Sequence, residues 1–221
     1  MKINREFNLP LDRFIELALY DKHTGYYMKK NPFGKEGDFI TAPNITRLFS
    51  EIIAIWVITF WKSIGSPKKY NLLELGAGNG EMMRVIIETL KNFPECFKNC
   101  KFQIHEKSSF LKNQQQQNLK FENVTWVDDI SKVNLYPTIF LANEFFDALP
   151  IKQFFKKNND WFERYVDLKE IDKAEFEEQI TDIKKIENKL NFEISKNQDI
   201  IEYSPASFEY LKTICKLIEK N

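Results

Sequence analysis

Apolar residues recur along the chain with two periods, one that suits helices and one that suits buried strands. Helical spacing predicts helices over residues 11–20, 45–64, 81–92 and 208–219, with a polar helical crossover over 109–118. Short apolar runs predict strands over residues 71–75, 101–105, 124–127 and 138–142. Strands that alternate with helical crossovers indicate an α/β fold, in which helices cover both faces of a parallel sheet.

Other segments lie outside this alternation. Residues 23–43 are rich in glycine, proline and aromatic residues and are predicted to form an ordered loop region. Residues 153–156 and 161–168 have the pattern of a β-hairpin. The charge-dense residues 170–189 are predicted to be helical. The stretch GSPKK at 65–69 is the clearest interruption between apolar segments.

This interruption predicts the domain organisation. We expect an N-terminal cap of helices and loops over residues 1–66 and a Rossmann-like core over residues 67–221. Within the core, residues 151–200 contain the hairpin and the charged stretch and are predicted to be a peripheral insertion. With 221 residues, the chain is long enough to bury a substantial core.

Charge and cysteine content exclude several classes of protein. Acidic and basic residues number 32 each, so nothing indicates a general binder of nucleic acid or membrane surfaces. The apolar run at 52–61 is too short to span a bilayer. With three cysteines and two histidines, we expect reduced thiols and no metal site. We see no secretory signal and no basic, hydroxylated leader, so we expect bacterial cytoplasm, with the mitochondrial matrix as the alternative.

The sequence LLELGAGNGEMMRV predicts a strand, a glycine turn and a helix, which together hold nucleotide-like ligands. Gly76, Gly78 and Gly80 have the spacing G-x-G-x-G. A dinucleotide site requires G-x-G-x-x-G, whose third position here is Glu81. Glu74 and Glu81 would repel a pyrophosphate but attract the sulfonium and ammonium of S-adenosylmethionine. The pattern therefore favours S-adenosylmethionine over the cofactor of a dinucleotide oxidoreductase, and a purely structural turn is the other alternative.

Two further carboxylates follow the next strands. Glu106 ends the second strand, where a carboxylate accepts hydrogen bonds from ribose hydroxyls. Asp128 follows the third strand, where it can either bind the adenine amino group or cap a helix, with Trp126 beside the ring. In series with the glycine turn, both are predicted to bind the cofactor.

The segment NEFFDALP follows the fourth strand and carries the candidate acceptor site, because ligands bind at the carboxyl ends of parallel strands. Asn143, Glu144 and Asp147 are the predicted catalytic residues. If the segment turns helically, the two carboxylates converge and can grip an arginine guanidinium bidentately. The alternative is that Asp147 caps a helix while Phe145 and Phe146 fill the core.

The chain resembles the MidA-like family of S-adenosylmethionine-dependent methyltransferases, which includes a mitochondrial arginine methyltransferase that assists respiratory complex I assembly. The similar stretches are ALYDKHTGYY, GKEGDFITAP, LELGAGNG, NEFFDALPIKQF and EYSPAS. The resemblance implies a Rossmann-like methyltransferase fold with an N-terminal region over the site. It implies cofactor contacts from Glu74, Gly76, Gly78, Glu106 and Asp128.

The same resemblance implies roles for the N-terminal region and for the acceptor. Gly37, Asp38, Phe39 and Thr41 are expected near the cofactor or the acceptor, although GDFITAP also suits a rigid turn. The implied acceptor is an arginine of a protein partner, specifically a respiratory complex I subunit.

One departure from the family concerns length. Members continue after the EYSPAS helix with further strands, which we do not find in this sequence. We therefore expect the fourth strand to be an exposed apolar edge, and the chain to be truncated or completed by a C-terminal fragment. Two hypotheses follow: an active protein arginine methyltransferase, alone or with that fragment, or a non-catalytic partner-binding and assembly factor.

Overall fold

The structure is a computed structural model that describes residues 8–29, 32–34, 37–120, 122–170 and 173–219. The described residues form two compact units. The sheet unit contains those of Lys22–Ala148 and Tyr210–Asn221, and the second unit contains those of Met1–Asp21 and Leu149–Glu209. The division therefore differs from the predicted boundary near residue 66, because residues 22–66 group with the parallel sheet.

The elements in chain order are β1 (Asn8–Pro10), α1 (Leu11–Tyr20), α2 (Tyr26–Lys29), α3 (Ala42–Ile45), α4 (Arg47–Ser63), β2 (Tyr70–Leu75), α5 (Glu81–Leu90), α6 (Pro94–Asn99), β3 (Cys100–His105), α7 (Ser109–Asn118), β4 (Val124–Trp126), β5 (Thr138–Leu141), β6 (Lys152–Lys157), β7 (Asp160–Glu170), β8 (Lys173–Ile180), α8 (Ile183–Leu190), β9 (Ile200–Tyr203) and α9 (Pro205–Ile218). A short 3₁₀ turn spans Ile130–Lys132.

The sheet unit is built on a parallel sheet with the strand order β4-β3-β2-β5. Every residue of β2 is buried, as expected for a central strand covered on both faces. On one face α4 and α5 pack through residues such as Val57 and Ile86. On the other, Leu73 and Leu75 pack with the 3₁₀ turn and with Tyr210. Parallel pairing brings the carboxyl ends of the strands to one edge, where the candidate site lies.

Strand β5 is the outer strand of this sheet. It pairs with β2 on one side, and no described residue pairs with its other side. Ile139 and Leu141 are buried, whereas Thr138 and Phe140 are half-buried. The expected edge is therefore present in the part of the chain that the structure describes, but none of its four residues is exposed, contrary to the expectation of an exposed apolar edge.

The second unit is an antiparallel sheet with the strand order β1-β7-β6-β9, and β8 also pairs with β7. The predicted hairpin is confirmed, since Phe154 on β6 lies opposite Glu163 on β7. The core of this unit contains Phe154, Ile183 and Ile201.

Most predicted elements of the alternating region are confirmed, and the predicted helices at 11–20 and 109–118 have the observed bounds. The predicted loop region at 23–43 contains the short helix α2 and the first residues of α3. Its residues 30–31 and 35–36 lie outside the described part.

The helix predicted over residues 170–189 is wrong for its first half. Lys173–Ile180 forms β8, and helix α8 begins only at Ile183 (residues 171–172 lie outside the description). Cross-strand partners explain the difference: Glu178 pairs with Lys157, and the Arg164 guanidinium lies 4.8 Å from the Phe176 ring centre. Such pairs outweigh the helix preference of a Lys/Glu-rich segment.

No helix in the described residues is long and apolar enough to cross a bilayer. The three cysteines are free thiols. Within the residues covered by the description, histidine, cysteine, aspartate and glutamate side chains form no cluster suited to a metal ion.

Candidate cofactor and acceptor site

The glycine turn after β2 depends on two glycines for close contacts. Gly76 has φ +65°, and a Cβ there would lie 2.7 Å from the Phe145 ring. Gly78 has φ +55°, and a Cβ there would lie 3.2 Å from the Phe33 ring. Both positions therefore favour glycine for the backbone conformation, and Gly76 also for space. Gly80 has the left-handed conformation and precedes the first residue of α5.

A cavity lies against this turn. It is lined by Phe33, Thr41, Pro43, Asn44, Glu74, Gly76, Ala77, Gly78, Asn79, Met82, Asn143 and Glu144. Its volume is about 40 Å³. Pockets for small molecules usually exceed about 300 Å³, so an adenosyl ligand requires the lining side chains to move apart.

Glu74 is the buried acidic residue of this cavity. It is the penultimate residue of β2, only 3% of it is exposed, and its Oε2 has no hydrogen-bond partner in the described residues. Burial, followed by the nearby Glu106 carboxylate, raises the pKa of the Glu74 carboxyl to about 8. A buried carboxyl oxygen without a partner costs free energy, so this position suits a ligand that brings a cation or a donor.

Glu106 is held in a fixed orientation at the end of β3. Its Oε1 accepts a hydrogen bond from the Ser108 backbone N–H at 2.8 Å, and its Oε2 accepts one from Gln115 Nε2 at 3.0 Å. Burial raises the pKa of Glu106, and these hydrogen bonds oppose the rise. The carboxylate therefore lies near Glu74, pre-oriented by neutral donors.

Gln115, on α7, connects the parts of the site and is absent from the sequence-based prediction. It is fully buried. Its Nε2 donates to Gly78 O at 2.9 Å as well as to Glu106, and its Oε1 accepts from Trp126 Nε1 at 2.9 Å. The sequence offers only one signal, a glutamine at the buried helical position four residues after Leu111.

A chain of amides links the N-terminal part of the sheet unit to the glycine turn. Asn44 Nδ2 donates to Thr41 Oγ1 at 3.0 Å, and Asn79 Nδ2 donates to Asn44 Oδ1 at 2.8 Å. Thr41 is buried and lines the cavity.

Gly37, Asp38 and Phe39 do not line the cavity. A Cβ at Gly37 would lie 2.3 Å from the Pro32 carbonyl oxygen, which supports the rigid-turn interpretation of this motif. Asp38 accepts a short hydrogen bond from the Tyr26 hydroxyl, and half of Phe39 is exposed beside the Tyr26 ring.

Two of the predicted carboxylates have neighbours outside the cavity. The Asp128 side chain is 87% exposed and pairs with Lys112 at 3.1 Å. Its neighbour Asp129, rather than Asp128, caps the following 3₁₀ turn. Glu81 pairs with Arg84 at 2.5 Å along α5. The electrostatic preference for a cationic ligand therefore depends on Glu74 and not on Glu81.

The segment after β5 forms turns, so the helical approach predicted for Glu144 and Asp147 is wrong. Glu144 instead has φ +50°, a left-handed conformation that is uncommon for a residue other than glycine. Asn143 and Glu144 line the cavity, and Glu144 and Asp147 are exposed. Phe145 packs against the core, as predicted.

Tyr27 is influenced by the charges of Glu106, Glu144 and Asp147. It is also absent from the predicted site. Burial raises the pKa of its hydroxyl, and the charges of Asp147, Glu106 and Glu144 raise it further. Its ring stacks on Phe33 at 6.2 Å, and its carbonyl accepts a hydrogen bond from Ser108 Oγ at 2.5 Å. The Tyr27 ring therefore packs on Phe33, which lines the cavity, and three acidic residues influence its hydroxyl.

Comparisons with known proteins match the chain to a methyltransferase family. The sequence model of a family described as S-adenosyl-L-methionine-dependent methyltransferases matches residues 52–221. A mitochondrial protein arginine methyltransferase NDUFAF7 homolog of Drosophila melanogaster is 30% identical over 191 residues, 76% of this chain and 43% of that protein. The protein arginine methyltransferase NDUFAF7, mitochondrial, of Xenopus laevis is 28% identical over 224 residues, 90% of this chain and 48% of that protein.

The chain therefore spans about half the length of these curated relatives. A crystal structure from Burkholderia thailandensis, bound to S-adenosyl-homocysteine, superposes with a TM-score of 0.78 at 23% identity. The match covers 95% of this chain and 55% of that one. This similarity shows that the two chains share a fold.

Glu74→Gln tests the protonation of the buried carboxyl. Its pKa of about 8 in the folded protein lies above the ordinary value of 4.5. Between these two values the unfolded chain loses the proton while the folded protein keeps it, so the free energy of unfolding falls as pH rises. The glutamine variant lacks this loss. We expect it to be more stable than the wild type by up to about 4 kcal/mol near pH 8, with little difference near pH 4.

Urea denaturation across this pH window measures the effect. The matched control is Glu95→Gln, because the Glu95 side chain is 71% exposed. The control should follow the wild type at every pH. If the free energy of unfolding of Glu74→Gln also equals that of the wild type at every pH, the Glu74 carboxyl is ionised in the folded protein.

Gln115→Ala tests the connecting role of Gln115. The variant leaves the Trp126 N–H and the Gly78 carbonyl without their partner in partly buried surroundings. We expect the free energy of unfolding to fall by about 3 kcal/mol, since each buried unsatisfied group costs about 1–3 kcal/mol. Gln116→Ala, at an exposed position of the same helix, should change it by less than about 0.5 kcal/mol. Equal effects of the two variants in urea denaturation would contradict this role.

Proposed function

This chain belongs to the family of S-adenosyl-L-methionine-dependent methyltransferases whose sequence model matches residues 52–221, and from this premise we propose that it methylates arginine side chains of a protein. The observation that carries the proposal is the buried Glu74 carboxyl, whose Oε2 has no partner among the described residues and which lines the cavity at the glycine turn. The family, the glycine turn and the carboxylates together support S-adenosylmethionine as the cofactor.

The residues of the sheet unit fit this cofactor. When bound, S-adenosylmethionine supplies a methyl group activated by its positively charged sulfur. Glu74 is suited to hold the cationic amino-acid end, and Glu106 to accept hydrogen bonds from the ribose hydroxyls. Gly76 and Gly78 have positive φ and no side chain, so their backbone can lie close to a ligand in the cavity that they line. Asp128, which is exposed and paired with Lys112, contributes to adenine binding only if that ion pair opens.

The acceptor side suits a guanidinium. Glu144 and Asp147 lie three residues apart in the segment after β5, Glu144 lines the cavity, and the charges of both raise the pKa of the Tyr27 hydroxyl. Two carboxylates can hold the fork of a guanidinium and direct one nitrogen towards the methyl group. The same carboxylates can accept the proton that this nitrogen releases on methylation. Asn143, which lines the cavity, can accept from or donate to the same group.

The relatives support a protein as the substrate, since their names describe protein arginine methyltransferases. On the family resemblance we propose a respiratory complex I subunit as the target. We also propose that a second polypeptide pairs with β5, because its outer edge has no partner among the residues that the structure describes. For location, we propose bacterial cytoplasm, with the mitochondrial matrix as an alternative that the names of the relatives support.

Titration calorimetry with S-adenosylmethionine tests the cofactor site. The wild-type chain should bind, and Glu106→Ala should weaken binding about 10- to 150-fold, because it removes charge-assisted contacts worth roughly 1.5–3 kcal/mol. Glu95→Ala, at an exposed carboxylate, should leave the dissociation constant unchanged. No heat from the wild type at millimolar cofactor would remove catalysis by this chain alone and favour the non-catalytic assembly factor. An unchanged constant for Glu106→Ala would show that the ribose lies elsewhere.

Transfer of labelled methyl groups to peptides tests the acceptor site. We expect transfer to an arginine peptide and not to the same peptide with lysine in its place. Glu144→Gln and Asp147→Asn should each lower kcat about 100-fold or more, the usual range for loss of an acid–base group. Their dissociation constants for the cofactor should stay within about threefold of the wild type. Asp129→Asn, which alters only a helix cap, should retain activity. Equal labelling of the lysine peptide would contradict arginine specificity.

A further inference from the structure

Helix α4 is apolar on two faces. One face packs into the core of the sheet unit and contains Ser50, Ala54, Val57, Ile58 and Trp61. The other contains six large apolar residues that are between 40% and 58% exposed. They are Leu48, Ile52, Ile55, Trp56, Phe60 and Ile64, and we call them the α4 surface. Contiguous exposed apolar residues on this scale mark an interaction site.

The α4 surface has an aromatic centre and a groove beside it. The Trp56 and Phe60 rings stack at 5.4 Å with an angle of 14° between their planes. Towards the N-terminal end of α4, a groove of about 460 Å³ lies on the surface between α4 and α5. Leu48, Ile52 and Ile55 line it, and its polar rim includes Arg47, Glu51 and Glu88. Large aromatic residues at the centre of an apolar patch are typical of the dominant contacts in protein interfaces.

The two ends of the α4 surface have opposite charge. At the N-terminal end, Arg47 and Arg84 pair with Glu51, Glu81 and Glu88, which leaves an excess of one acidic group. At the other end, Lys62 lies in the last turn of α4 and Lys68 is exposed just after it. A surface with an acidic end and a basic end is complementary to its own copy turned end to end.

We propose that the α4 surface binds the α4 surface of a second copy of this chain, with the two helices antiparallel. Centred on Trp56, this pairing places Leu48 opposite Ile64 of the second copy and Ile52 opposite Phe60 of the second copy. It also places Glu51 next to Lys62 of the second copy. A parallel pairing would instead place like charges together, Arg47 on Arg47 and Lys62 on Lys62. Apolar contact and charge therefore select the same two-fold arrangement.

The proposal does not depend on the methyltransferase activity. None of the α4 surface residues lines the cavity at the glycine turn. The interface can therefore be tested on the chain without cofactor or substrate.

Sedimentation velocity from about 1 to 100 µM tests the interface. We expect the wild-type chain to dimerise in this range, and Ile52→Glu and Trp56→Glu to be monomeric. Both positions are exposed, so each variant should remain folded. Its melting temperature should stay near that of the wild-type chain at concentrations low enough for the wild type to be monomeric. The matched control is Leu135→Glu, at a loop position that is 61% exposed and outside the α4 surface. It should dimerise as the wild type does.

A charge exchange tests the antiparallel direction. Lys62→Glu should weaken the dimer about tenfold, because it places a new carboxylate of one copy near Glu51 of the other. The double variant Glu51→Lys, Lys62→Glu should restore the wild-type dissociation constant to within about threefold. A wild-type chain that is monomeric at about 100 µM, or a dimer that Trp56→Glu leaves intact, overturns the proposal. A double variant no tighter than Lys62→Glu alone overturns the antiparallel arrangement.

Discussion

Strand β2 carries near its end a carboxyl group that the fold shields from water and whose Oε2 meets no donor among the described residues. All six residues of the strand are buried, and Glu74 is the only acidic one. Burial of this kind opposes ionisation, and Glu106 opposes it further, so the group reduces the stability of the sheet at neutral pH. Carboxyls with pKa values perturbed in this way are concentrated at binding and catalytic sites. The carboxyl would be stabilised by a cation at the glycine turn.

The surrounding residues hold the Glu106 carboxyl, and Glu74 lines the cavity beside the turn. Gln115 fixes Glu106 and the Gly78 carbonyl through one amide, and Trp126 fixes Gln115. These partners are neutral, so they orient Glu106 without cancelling its charge. Rigid neutral contacts around an acidic centre are what a cationic ligand needs, because no ion pair has to break when the ligand binds. The exposed Asp128–Lys112 ion pair differs in this respect, because it has to break before Asp128 can bind a ligand.

The predictable parts of the molecule are those set by local pattern. The apolar runs and the glycine spacing are enough to predict β2, the turn and α5, and the position at the end of the second strand is enough to predict Glu106 as a neighbour of the site. Gln115 and Tyr27 escape such a prediction because their roles come from contacts distant in sequence, 37 residues to Gly78 and 81 residues to Ser108. The same reason explains β8, whose strand conformation depends on partners in β7.

In the structure, the preference against a dinucleotide comes from buried carboxyls and not from Glu81, the residue that suggests it in the sequence. In the sequence, Glu81 counts as a repulsive charge at the start of α5, but Arg84 neutralises it, and Arg84 also pairs with Glu88. A phosphate at that helix end would therefore meet little net repulsion from Glu81. What disfavours a pyrophosphate is the buried Glu106 carboxylate with its neutral partners, together with Glu74, whose ionisation a nearby anion opposes and a nearby cation favours. The choice of cofactor thus follows from burial, which spacing alone does not reveal.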